Sequence, residues 1–180
     1  MRVREGIADV ALIRDQFDSH GLDSDELLRE PRVVLLPERH PLATADELEL
    51  RQLDDAPIIR AHHGDEAGFP LWPPEQLRPT THGEGSLITD TWQIRAFVRL
   101  GHGVAFVPES ISATLSGDGI LAVRVRDCPP STLRIAWRHD STSPAIASLV
   151  SHATINLDAR NLDPPSGTNS VYVRSDSIIE

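Results

Sequence analysis

Arginine supplies all the side-chain positive charge this 180-residue chain can offer a ligand, because its 17 basic residues are all Arg and Lys is absent. A guanidinium keeps its proton near neutral pH, so Lys-type Schiff-base chemistry is excluded. Its natural use is a bidentate pair with a carboxylate or phosphate. Two arginines stand where such a pair would serve binding. Arg14 follows the apolar run Ile7 to Ile13, and Arg60 ends the run Pro57-Ile58-Ile59-Arg60. In open parallel sheets, ligands sit outside the carboxyl ends of the strands. The competing reading pairs each Arg with a nearby carboxylate, such as Asp15 or Asp65. A second candidate is the segment Ser86 to Thr91, where hydroxyls lie beside the free N–H groups of a helix start. There the plainer reading is capping by Thr89 or Asp90, and Asp90 would itself repel an anion.

Other constellations carry less. Gly101-His102-Gly103 begins like a dinucleotide fingerprint, but the glycines follow a helix and precede a strand, and Phe106 occupies the third glycine position. Phosphate recognition needs the opposite order, so a helix stop and tight turn is the expectation. His62-His63-Gly64-Asp65-Glu66 has metal-ligand residue types without a spaced third ligand, and reads as an exposed polar loop. Gly83-Glu84-Gly85-Ser86 does not match the G-x-S-x-G turn of serine hydrolases, and Val107-Pro108-Glu109-Ser110 lacks the flanking glycines. No nucleophile with an adjacent base emerges. No catalytic residue, metal or cofactor is expected.

Composition narrows the class. With 27 acidic against 17 basic residues the formal net charge is −10, which argues against charge-driven binding to DNA or an anionic membrane. The single cysteine, Cys128, excludes an internal disulfide and a Cys-rich zinc site. The N-terminus has no apolar run after its basic residues, and no stretch reaches the roughly 20 apolar residues of a membrane span. The expectation is a soluble cytoplasmic protein.

The elements that must position these residues alternate as in an α/β protein. Strands are expected over residues 7–13, 33–36, 57–60, 103–108, 120–125 and 133–137. Their near-continuous apolar character predicts parallel sheets covered on both faces. Thr44-Ala45-Asp46-Glu47 reads as a capping box opening a helix to about Leu53. A helix from Thr89 or Asp90 to Leu100 presents Trp92, Ala96 and Leu100 as its apolar stripe, with Phe97 beside it, and Gly101 stops it. Pro108-Glu109-Ser110 opens a short helix, and Ser143-Pro144 opens a last one carrying Ile146, Leu149, Val150, Ala153 and Leu157. Residues 61–86 are too rich in Pro and Gly for a long helix, and residues 159–180 read as a loose tail.

Four segments, in order, resemble the effector-binding domain of LysR-type transcriptional regulators. Val3 to Arg14 (V-R-E-G-I-A-D-V-A-L-I-R) is similar to the family's G-x-x-D-x-A-I segment. Arg29-Glu30-Pro31 through Leu36-Pro37-Glu38-Arg39-His40-Pro41-Leu42-Ala43 resembles its E-P-L … L-P … H-P-L-A segment. Phe97 to Ser110 resembles V-x-x-G-x-G-V-A-x-V-P, and Leu133 to Arg138 resembles the closing strand. The resemblance covers about residues 3–155.

The resemblance implies two α/β lobes like those of periplasmic solute-binding proteins, with open mixed sheets. Residues 1–34 and 126–158 would form an incomplete first lobe and residues 35–125 the second. A small organic anion would lie between them. The cleft-lining residues it implies are Arg14, Arg60, Ala61, Thr89, Asp90, Phe106 and Val107. Arg14 and Arg60 would hold the anionic group, Thr89 would offer a hydroxyl or helix N–H groups, and Phe106 would wall off an apolar part. Family members read DNA through a winged helix-turn-helix and assemble as homo-oligomers. Nothing before Val3 corresponds to that DNA-binding domain or to the first strand–helix–strand of the first lobe. The chain is therefore expected to be a fragment, a truncated product or a misplaced start, unable to bind an operator alone and prone to self-association. A free-standing solute-binding module is the alternative, and a small α/β hydrolase a more distant one.

Overall fold

The computed structural model describes residues 1–15, 17–61, 87–88, 90 and 92–162, with residues 60, 61, 87 and 155–162 described as backbone only. Nine strands and three helices are assigned among these residues. β1 (Val10–Arg14), β2 (Leu22–Glu30) and β9 (Ser131–Arg138) form one sheet in the order β1-β9-β2, antiparallel throughout. β3 (Arg32–Pro37), β4 (Glu47–Leu48), β7 (Ala105–Pro108) and β8 (Ile120–Val125) form a second sheet in the order β4-β8-β3-β7. There β3 is antiparallel to both neighbours, and only β4–β8 is parallel. β5 (Arg60–Ala61) and β6 (Leu87–Ile88) make a separate parallel pair. The helices are α1 (Gln93–Arg99), α2 (Glu109–Leu115) and α3 (Pro144–Leu162).

The expected burial of β3 on both faces holds, but its parallel pairing does not. Val33 and Leu35 point into a core shared with Ile94 and Val98 of α1, Leu115 of α2, Ile59, Ile88 and Val107. Val34 and Leu36 point the opposite way, into a core with Leu48, Leu53, Ile58, Phe106, Val123 and Val125. Alternation along a strand sends successive side chains to opposite faces. A strand covered twice must therefore be apolar at every position, whichever way its neighbours run. Apolar continuity reports burial and carries no information on strand direction.

Several elements differ from expectation for definite reasons. β1 begins at Val10 instead of Ile7, whose side chain is exposed. β2 lies where no strand is expected: L-D-S-D-E-L-L-R-E buries only Leu22, Leu27 and Glu30, and a bulge between Glu26 and Leu28 breaks its alternation. Thr44 opens no helix. Residues 47–48 pair instead with Arg124 and Val125, and a short 3-10 turn follows over Leu50–Leu53, with Gln52 Oε1 accepting the Glu49 N–H at 2.8 Å.

The stripe on α1 is also reversed. Ile94 and Val98 face the core, with the expected Phe97 packed against it, while Trp92 and Leu100 are 68% and 71% exposed. Gly101 does stop the helix, at φ +75, with Gly101 N–H on Val98 O at 2.9 Å and His102 N–H on Phe97 O at 3.0 Å. These are the two bonds of a Schellman ending. On the first sheet, α3 lays Ile146, Val150 and Ala153 over Leu27, Ile135 and Trp137. Leu149 is exposed, and the side chain of Leu157 lies outside the described residues.

Candidate functional site

The chain crosses between the two sheets twice. Pro31 separates β2 from β3, and residues 126–130 separate β8 from β9. The first crossing therefore precedes β3, which places residues 32–34 in the second sheet.

Charged side chains collect at these crossings. Arg14, the last residue of β1, donates from Nη1 to Glu30 Oε1 at 2.7 Å and to Ser131 Oγ at 3.3 Å, and from Nη2 to Ser110 Oγ at 3.3 Å. Glu30 also accepts the Ser110 N–H at 2.6 Å and the Ser110 hydroxyl at 2.9 Å. Arg32, 1% exposed, donates from Nε to Pro129 O at 3.2 Å and from Nη2 to Asp15 Oδ2. Asp15 Oδ1 accepts the Thr132 N–H at 3.0 Å. Asp15 holds φ +62, a left-handed conformation that Asp tolerates better than most residues. Buried charges persist only when paired and hydrogen-bonded, and here two arginines meet two carboxylates.

The pairing corrects the expectation for Arg14. Its partner is Glu30, sixteen residues away, not Asp15. Its charge is already matched, so it is not an open anion clamp. Glu30, Ser110, Ser131, Asp15 and Arg32 complete the cluster and are not among the residues that sequence reasoning singles out as cleft-lining. The available signal is Glu30-Pro31-Arg32, opposite charges flanking a proline between strands, set against Arg14-Asp15 at the end of another strand.

Strand direction brings further expected residues to the same edge. Ile58 bridges Val104 in parallel, so the chain from Ile58 to Ala61 runs alongside β7 toward Pro108. Pro108 pairs with Arg32, next to the first crossing, and β6 runs parallel to β5. The carboxyl ends of β5 and β7 thus point toward the crossing that also holds Arg14. Arg60 and Ala61 are placed there as backbone. Thr89 lies outside the described residues, as does the His62–Glu66 group. Asp90 is exposed and turns inward on its own chain, its Oδ1 accepting the Trp92 N–H at 2.9 Å. Phe106 and Val107 require correction as cleft walls. They are 1% and 0% exposed and fill the two opposite cores of the second sheet.

Burial pushes the Cys128 thiol up to about 11, with the positive charge of Arg32 opposing. A thiol so held is a poor nucleophile. Among the described residues, no group of three or more His, Cys, Asp and Glu is placed to hold a metal, and no helix is long and apolar enough to cross a membrane.

Comparison with known proteins supplies a family. The family described as LysR substrate binding domain matches residues 1–157. The Hca operon transcriptional activator HcaR of Escherichia coli K12 is 27% identical over an alignment of 163 positions that covers 83% of this chain and 51% of that protein. The chain thus spans about half the length of that relative. Among solved structures, the BenM effector-binding domain with its effector benzoate superposes with a TM-score of 0.69 at 16% identity, covering 95% of this chain and 79% of that one. The reduced OxyR regulatory domain of Pseudomonas aeruginosa gives 0.65 at 22%, covering 87% and 75%. At these identities the structural likeness establishes the fold, that of a two-lobe effector-binding domain.

Proposed function

This chain belongs to the LysR substrate-binding domain family, and on that premise we propose that it is the ligand-sensing part of a transcription regulator, taking a small organic molecule at the junction of its two sheets. The family consists of regulator domains, not enzymes. The observation that carries the proposal is the shared edge at which the carboxyl ends of β1, β5 and β7 lie against the first crossing. That edge is where a ligand could touch both lobes, residues 1–31 with 126–158 and residues 32–125. A ligand shifts their relative orientation only by binding one orientation better than another.

The preference for an anion rests on Arg60 in this reading. Arg14 is neutralised by Glu30, whereas Arg60 and Ala61 come from a separate strand end, with Thr89 and Asp90 following β6. Phe106 and Val107 support that edge from within the cores. DNA contact belongs to a winged helix-turn-helix elsewhere in the regulator, consistent with the acidic charge of −10 here. Homo-oligomer formation is supported by the solvent-facing Trp92 and Leu100 of the α1 region.

A thermal-shift screen of small organic acids, each beside its neutral amide, tests the reading. Acids should raise Tm and amides should not. Arg60→Ala should weaken the best acid about tenfold or more, the worth of one charge-assisted contact. If acids and amides shift Tm equally and Arg60→Ala changes neither, the anion site is wrong. If no compound shifts Tm, the sensing role fails.

A further inference from the structure

Glu30 is the last residue of β2 in one lobe, yet most of its hydrogen bonding is directed to the other. Its Oε2 takes the Ser110 N–H at 2.6 Å, and its Oε1 takes the Ser110 hydroxyl at 2.9 Å while also holding Arg14 at 2.7 Å. Arg14 adds its own bond to Ser110 Oγ and anchors Ser131 Oγ at the start of β9. Ser110 belongs to α2, whose Leu115 packs with Val33, Leu35 and Val107 of the second lobe. It lies 80 residues from Glu30 and on neither covalent crossing.

We propose that Glu30 and Arg14 together latch Ser110, fixing the resting orientation of the two lobes, and that reorientation requires the Glu30–Ser110 bonds to break. The two crossings leave a hinge, and hinged lobes rotate unless further contacts restrain them. The Arg32–Asp15 pair also joins the lobes, but Arg32 directly follows the first crossing; the latch reaches α2, on neither crossing, and its composition suits a restraint. The Glu30 carboxylate is buried, its bonds to Ser110 and Arg14 are short, and its charge is met by Arg14. Such a cluster is stable when engaged and costly to leave half-made. Nothing in it needs a ligand to form. The idea deepens the reading of the junction as the sensing site, because it supplies what a ligand must overcome.

The test is made without ligand. Spin labels at Asp25→Cys in β2 and Arg99→Cys in α1, in a Cys128→Ser background, report the interlobe distance. The latched protein should give one narrow distribution. Glu30→Gln and Ser110→Ala should each shift its mean or make it at least about twofold broader, as expected when one orientation loses its advantage, with near-UV circular dichroism retained. Ser110→Ala leaves every charge in place, so it decides the matter should Glu30→Gln fail to fold. An unchanged distribution in folded Ser110→Ala and Glu30→Gln overturns the latch. That result would leave ligand binding by the thermal-shift screen untouched, while a latch confirmed in a protein that binds nothing would instead remove the sensing role.

Discussion

A Cβ placed on Gly103 would stand 2.5 Å from the carbonyl oxygen of Pro57. The two segments are tied together there by Val104 N–H on Pro57 O and Ile59 N–H on Val104 O, both at 2.8 Å. Neither backbone can yield without breaking the bridge that starts the run toward β5. Gly103 also holds φ +157, which a side chain disfavours. Gly103→Ala should therefore cost about 3 kcal/mol, combining overpacking with backbone strain. Urea unfolding checks it. The same substitution at Gly101, where nothing lies within 4 Å, should cost only the left-handed backbone term, roughly 1 kcal/mol.

These two glycines show what is legible in the sequence. A helix stop followed by a tight turn and a buried strand is local chemistry, and Gly101 to Pro108 folds as its residues dictate. The strands β3 and β7 are readable because two-sided burial leaves an unbroken apolar run, and β8 and β9 because apolar residues dominate them, although Arg124 and Arg134 interrupt the runs. β2 is not readable. Its nine residues owe their strand state to pairing with β9, and its exposed Asp23, Asp25 and Glu26 carry no local strand signal. The site divides in the same way. Arg14 and Arg60 are identifiable as charges at strand ends, but which carboxylate closes Arg14 depends on the fold bringing Glu30 beside it. Phe106 and Val107 mislead because the end of a strand in sequence is not the end of its burial.

The reversed stripe on α1 predicts opposite outcomes for neighbouring positions. Ile94→Ala removes a fully buried side chain from the core with Val98 and Leu35 and should cost about 2–5 kcal/mol. Trp92→Ala should stay within about 0.5 kcal/mol, as exposed sites do. Trp92→Glu with Leu100→Glu should instead reduce self-association, read by static light scattering across a concentration series. If the charged pair lowers Tm by as much as Ile94→Ala, the stripe faces inward after all.

Cys128 yields a pH prediction. Its thiol is held near 11 by burial, so at pH 8 its thiolate fraction lies about a hundredfold below that of an exposed thiol. Iodoacetamide should label it slowly at pH 8, speed up steeply as pH approaches 11, and label it fast once urea unfolds the chain. The sign for stability follows. The folded state keeps a proton that the unfolded state releases above its ordinary thiol value, so this group stabilises below that value and loses its contribution as pH rises toward 11. Rapid labelling of the folded protein at pH 8 would contradict the burial.

Arg32 and Asp15 form the part of the junction that should be least tolerant of single changes. Arg32 has one nitrogen, Nη1, without a hydrogen-bond partner among the described residues, so the pair is imperfectly satisfied even when intact. Replacing Arg32 alone by Met leaves Asp15 partly buried with its charge unmatched and should cost about 3–5 kcal/mol. Asp15→Asn alone strands the guanidinium and should cost a similar amount. Asn keeps an oxygen for the Thr132 N–H and tolerates the left-handed backbone at this position. The double variant Asp15→Asn with Arg32→Met removes both charges and the orphaned donor together, so it should recover most of the loss. A double-mutant cycle by urea unfolding measures this directly. Additive losses would mean that the two side chains act independently and that their charge pairing is not what holds this part of the junction.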